Sequence, residues 1–380
     1  MNIKNVIDYL KQPEKKIYLY TAILTIFLVV IIIIVLLFNI LFGGNKSYDE
    51  MELILVDSAK QYYSKKDNLK KNVGFESKVK SKELINNDNM KEFKKYSKDF
   101  ENCEGEVQVT YNGEDFLYTP ILNCGKQYKT KTLQDEMKKT KFQDNGSGLY
   151  QVDDYYLYKG ETPNNYVKFA NELWRVLRIE NDGTIRMIQV SSTEDEFVFD
   201  NRYNASCNDD DDYDCSGFND FEKSRLKEKM MKYYNDNKNF DKFNKNLIVY
   251  KNICVKGVSE NITLNDGMAE CELLTTNKYP LDFVRLNEVI LPSLDYNCQS
   301  INNKSCSNYN FMNYIIGAYW TATPLAESNK KAFYISGLPT ASYLSEEVSL
   351  RFVVNLSKNT LYQSGTGTED NPYIIKTIKN

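Results

Sequence analysis

The longest apolar run in the chain covers residues 17–42, "IYLYTAILTIFLVVIIIIVLLFNILF", and contains no charged side chain. At about 1.5 Å per residue such a helix is long enough for a hydrocarbon core of ~30 Å, so the pattern predicts a transmembrane helix. It is too long for the apolar stretch of a cleaved signal peptide, and no small-residue cleavage pattern follows it. Lys4, Lys11, Lys15 and Lys16 precede it, whereas Asp49, Glu50 and Glu52 follow. Positive side chains stay on the cytoplasmic side of a span. The expectation is a single-pass protein of the cell membrane, with residues 1–16 a cytoplasmic tail, 17–42 the span, and the C-terminal bulk extracellular.

Beyond this run the pattern changes to short amphipathic elements. Leu53, Val56, Ala59 and Tyr63 recur at helical spacing, after Asp49 and Glu50, which suit a helix start. Leu84, Ile85, Met90 and Phe93 mark a second helical stretch with Ser81 as its N-cap. Val107, Val109 and Tyr111 then alternate with polar residues, as do Phe116, Tyr118 and Pro120, on either side of the turn signal Asn112-Gly113. A loop at 112–115 sets a register in which Cys103 faces Cys124.

Residues 131–148 are charged and end in Gly-Ser-Gly, which predicts a linker. Past it, Tyr166, Phe169, Trp174, Val176, Leu177, Ile179, Ile185, Met187 and Ile188 supply an expected core, with a hairpin turning at Asp182-Gly183. Phe221, Leu226, Met230, Met231 and Tyr234 fit an amphipathic helix capped by Asn219 or Asp220. "AYWTATP", "KAFYISG" and "VSLRFVVNL" read as strands. Trp174 and Trp320 sit in apolar strands and read as core. Arg351, among apolar neighbours, reads as one half of an internal ion pair.

Composition narrows the chemistry. The 380 residues include no histidine, which excludes Ser-His-Asp and Cys-His nucleophiles, His-ligated zinc and an imidazole base. A net charge of -4 argues against a nucleic-acid partner. All eight cysteines follow the apolar run, in a compartment that permits oxidation. Neighbour pairing gives Cys103–Cys124, Cys207–Cys215, Cys254–Cys271 and Cys298–Cys306.

Between Cys207 and Cys215 stand Asp209, Asp210, Asp211, Asp212 and Asp214. The loop lacks the central glycine and distal glutamate of an EF-hand. It reads as a disulfide-clipped acidic excursion. Asp209, Asp210, Asp212 and Asp214 are the candidate ligands of a weak calcium site, and no other cofactor is expected.

Two resemblances add to this. The apolar helix, the "DSAKQYY" helix after it and the disulfide-closed hairpin ending "YTPILNCG" resemble a pilin-like or pseudopilin-like module of Gram-positive surface proteins. "NYVKFANELWRVLRIENDGTIRMI", "YWTATP", "LRFVVNL" and "GTGTEDNPYII" together resemble a C-type-lectin-like surface domain of low-G+C Gram-positive bacteria. That domain is distantly similar to the formylglycine-generating-enzyme fold. Phe352 stands where that family usually carries proline.

These resemblances imply an α+β protein with a transmembrane helix, a small pilin-like stalk (43–130), a linker (131–148) and a distal C-type-lectin-like domain (149–376). They imply a non-catalytic, membrane-anchored binding or adhesion protein whose extracellular partner is a glycan or a surface protein. The alternative is a pilin-like structural subunit of a surface or secretion apparatus.

Overall fold

A computed structural model describes residues 24–31, 46–66, 68–200, 202, 218–263 and 269–378. They form a mixed α and β protein in which strands predominate. Two hydrophobic cores organise it, one before and one after residue 131.

The first core lies under helix α1 (Tyr48–Ser64). Its start is fixed by a capping box: Ser47 Oγ accepts from the Glu50 N–H at 3.2 Å, and the Glu50 carboxylate accepts from the Ser47 N–H at 2.8 Å. Met51, Leu55, Ala59 and Tyr62 face the core, with Leu55 fully buried where the periodicity had favoured Leu53. The helix covers an antiparallel sheet of β1 (Glu76–Lys80), β2 (Glu104–Tyr111) and β3 (Phe116–Asn123), with α2 (Ser81–Asn86) after β1. The hairpin pairs Tyr111 with Phe116 through to Glu104 with Asn123, and the Cys103–Cys124 disulfide closes its open end, as the turn signal requires. Ser81 does not cap α2. Lys80 holds that position, and Ser81 Oγ instead accepts from the Gly105 N–H at 3.2 Å, tying α2 to β2.

The second core is enclosed by two sheets. One comprises β4 (Gly148–Val152), β5 (Tyr155–Lys159), β6 (Tyr166–Phe169), β7 (Glu172–Ile179), β8 (Ile185–Gln189), β14 (Val353–Leu356), β15 (Tyr362–Ser364) and β16 (Tyr373–Ile375). Its order is β14-β8-β7-β6-β16-β15, with β4 and β5 attached at β7. The other, of order β12-β11-β10-β13-β9, comprises β9 (Glu196–Phe197), β10 (Ala318–Pro324), β11 (Lys331–Ser336), β12 (Leu338–Tyr343) and β13 (Val348–Ser349). Trp174 and Trp320 are fully buried, and each indole N–H donates to a backbone carbonyl, Phe169 and Phe197 respectively.

Residues 131–148 contribute α3 (Leu133–Met137), whose Leu133 and Met137 are fully buried in this same core. Helix α4 (Arg225–Asp236) buries Leu226, Met230 and Tyr234 and is capped by Ser224; Asp220 caps the 3-10 turn before it. Helices α5 (Lys242–Leu247) and α6 (Leu286–Ile290) complete the fold.

Two expectations are corrected. Among the described residues no helix is long and apolar enough to cross a membrane, so the transmembrane helix of the expected fold class, and the single-pass membrane localisation built on it, are not upheld. Of the 17–42 run only residues 24–31 are described, as an exposed helical stretch; the rest, with the 1–16 tail, lies outside the described residues. Arg351 makes no ion pair among the described residues. Its guanidinium donates to the carbonyls of Gln189, Val190 and Ile316. Dipoles rather than a charge compensate it, and burial lowers its pKa.

The ion pairing in the core centres on Arg186 on β8, with buried Arg178 3.4 Å from the same Glu288. Arg186 donates to Glu288 at 2.5 and 3.1 Å, to Asp282 at 2.6 Å and to the Phe283 carbonyl at 2.8 Å, and is fully buried. Burial would lower its pKa, but the carboxylates of Asp282 and Glu288 outweigh that and raise it. Beside this cluster, buried Glu270 accepts from the Thr323 hydroxyl at 2.6 Å and the Leu286 N–H at 3.3 Å. Burial, reinforced by Glu288, pushes its pKa up to about 7.

Removing one partner of such a pair leaves a buried charge uncompensated. Arg186→Met is therefore expected to cost about 3–5 kcal/mol, read from urea unfolding. Glu270 works in the opposite sense to most carboxylates. Between its ordinary 4.5 and about 7 the folded chain holds a proton that the unfolded chain has lost, so stability falls across that window as pH rises and is level above it. Glu270→Gln is expected to remove roughly 3 kcal/mol of the difference in unfolding free energy between pH 5 and pH 8. An unchanged pH profile would contradict this assignment.

Candidate functional site: a lysine–tyrosine cleft at the junction of the two regions

The two cores meet through the β2–β3 hairpin. Asn112, almost wholly buried, turns the chain by accepting from the N–H groups of Glu114 and Asp115, both at 2.8 Å. Its amide then donates to the carbonyls of Lys245 and Asn246 at 3.0 and 3.1 Å, at the end of α5. Its own carbonyl accepts from the Tyr250 N–H at 2.7 Å. Gly113 has φ +122°, and a Cβ there would lie 2.5 Å from the Tyr250 ring. The Asn-Gly pair is therefore needed twice, once for the turn and once for the close approach of the second region.

A second tie comes from the chain's far end. After β16, Lys376 Nζ lies 2.6 Å from Glu52 and 2.5 Å from Asp49, both on α1. Glu52 is fully buried, and its other oxygen accepts from the hydroxyls of Tyr128, at 2.8 Å, and Thr130. Burial would lower the Lys376 pKa, but Asp49, Glu52 and Tyr128 raise it, so the ammonium stays charged. Lys358 adds a third tie, 2.5 Å from Glu76 on β1.

Around Lys376 the junction opens into a cleft of about 930 Å³, lined by Asp49, the 125–129 turn, Lys131, Tyr362, Gln363, Lys376 and Thr377. The turn is rigid for a local reason. It follows Cys124 of the disulfide, the Cys124 N–H donates to the Tyr128 carbonyl at 2.8 Å, and Gly125 supplies φ +65°. Tyr128 stacks on Tyr48 with ring centres 4.3 Å apart, and burial raises its hydroxyl pKa.

The cleft's lysines differ. Lys376 is neutralised by Glu52 and Asp49, and Lys131 lies 3.7 Å from Glu136. Lys126 and Lys129, both exposed and flanking Tyr128, have no carboxylate partner among the described residues. A second junction cleft, of about 470 Å³, is lined by Phe75, Tyr111 and Tyr250; there Lys358 and Lys251 are paired with Glu76 and Asp182, and exposed Lys278 has no carboxylate partner among the described residues.

The sequence-predicted residues fall elsewhere. Cys254–Cys271 and Cys298–Cys306 form as expected, alongside Cys103–Cys124. Cys207 and Cys215, with the candidate calcium ligands Asp209, Asp210, Asp212 and Asp214, lie outside the described residues. Among the described residues no group of three acidic or cysteine side chains is placed to hold a metal ion. The buried tryptophans offer no surface for a sugar ring. The stretch "GKQYK" had no periodic pattern to single it out; its one signal was position, directly after a cysteine fixed by the hairpin register.

No family model, no curated protein and no solved structure matches the chain, and nothing among them identifies a pilin-like or lectin-like region in it.

The ties define the next expectation. Lys376→Met leaves Glu52 buried without its cation, and is expected to cost about 3 kcal/mol in thermal or urea unfolding. It is also expected to raise amide exchange in the 125–129 turn. A loss below about 0.5 kcal/mol, the size of an exposed pair, would show that the contact is not structural.

Proposed function

We propose that the chain is an extracytoplasmic, non-catalytic binding protein that takes a saccharide or surface polymer in the lysine–tyrosine cleft. The observation that carries this reading is the cleft's composition. Tyrosine faces, free ammonium groups and the polar side chains of Gln127, Gln363 and Thr377 come together from three distant segments, on a junction held by buried hydrogen bonds and an ion pair. Aromatic faces with a few placed polar groups are what a saccharide-sized ligand requires.

The chemistry around the cleft supports binding rather than turnover. Among the described residues Asp49 is the one carboxylate lining it, and Lys376 already engages that group. Glycoside hydrolysis needs two carboxylates flanking the bond. Three disulfides agree with an oxidising compartment outside the cytoplasm. The resemblance of the distal motifs to a C-type-lectin-like domain is consistent with this reading.

The test is titration of the 380-residue chain against a panel of saccharide polymers, alongside the double variant Lys129→Ala, Gln363→Ala. Both side chains are exposed, so the fold should persist. The expected result is reversible binding weakened at least tenfold, about 1.4 kcal/mol, in the variant, with the polymer recovered intact. Release of shortened fragments, or binding that the variant leaves unchanged, would overturn the proposal.

A further inference from the structure

Resting on that reading, we infer that the cleft's ligand is a polyanionic chain of the phosphodiester-linked saccharide or polyol type, held by Lys126 and Lys129 on either side of Tyr128. Charge compensation singles out those two. Lys376 and Lys131 carry local carboxylate partners, so an incoming ligand gains little from either. Lys126 and Lys129 have none among the described residues, and the disulfide-anchored turn fixes their backbones. Their side chains are the cations left over for an anion that the protein itself does not supply.

The background charge makes this selective. The whole chain carries -4, so its long-range field repels a polyanion, and attraction must come from a local excess of positive charge. Among the described residues no arginine lines the cleft. A guanidinium fork holds carboxylate or phosphate bidentately, whereas lysine meets an oxyanion as a point charge from any direction. Point charges flanking an aromatic ring fit successive phosphodiester groups with a sugar or polyol between them.

The experiment uses the 380-residue chain and the double variant Lys126→Ala, Lys129→Ala, titrated with four probes. These are a polyglycerol-phosphate chain, a uronate polymer, neutral dextran and a single-stranded oligonucleotide. The expected result is binding of the polyglycerol phosphate ahead of the other three. Releasing the counterions of about two phosphates should weaken it roughly tenfold between 50 and 200 mM salt. In the variant, affinity should fall at least tenfold with an unchanged melting curve, and the salt dependence should flatten.

Uronate bound as tightly would overturn the phosphate assignment, and the oligonucleotide bound more tightly would overturn the saccharide class. Dextran bound equally well would overturn the charge inference while leaving the cleft as a saccharide site. If every bound probe ignores the double variant, the cleft is not the site, and the proposed function falls with the inference.

Discussion

The cleft end of the junction is organised by one buried carboxylate. Glu52 lies on the inner face of α1 without exposure to water, a placement that costs several kcal/mol unless it is compensated. Compensation comes from Lys376, just past the last strand, and from Tyr128 and Thr130, two residues apart beside the disulfide-anchored turn. One charge thereby obliges α1, that turn and the stretch after β16 to converge. Because β16 pairs in parallel with β6, the end of the chain is first built into the large sheet and then delivered to α1. The cleft is the space left where these segments meet.

The same logic, in a different residue, organises the second core. Arginines are used inside: Arg186 among carboxylates, Arg351 on carbonyls, and Arg175 between the rings of Tyr166 and Phe311 at 4.4 and 4.5 Å. Lysines are used at the surface and at the cleft. A planar guanidinium loses less on leaving water and can be stacked or forked, whereas an ammonium prefers hydration and a mobile partner. The cleft holds lysines of both kinds, Lys376 paired with carboxylates and Lys126 and Lys129 exposed to water.

Much of the local structure was legible in the sequence. Asn112-Gly113 and the alternating residues around it fixed a register that places Cys103 on Cys124, whereas Asp182-Gly183 sets that of β7 and β8 only as far as Arg178, where a bulge shifts it. The tryptophans were correctly read as core, because each sits in a strand buried on both faces. Caps were less legible. Ser81 and Asp220 have the right side chains, but tertiary contact gave Ser81 to β2, and a 3-10 turn displaced the start of α4 to Ser224. The junction was not legible at all. Asn112 reads as a turn residue whether or not its amide bonds a second region, and nothing local connects Glu52 to Lys376 across more than three hundred positions. The apolar run at 17–42 was the strongest pattern in the chain, yet among the described residues no membrane-crossing helix results from it.

We propose that this protein meets its ligand in the junction cleft held in shape by Glu52 and Lys376. Hydrogen exchange with and without polyglycerol phosphate tests it most directly. Protection confined to the 124–131 and 361–377 segments is the predicted result. Protection elsewhere, for example over the exposed loop side chains Tyr296, Tyr309 and Ile316, with none at the 125–129 turn, would contradict it.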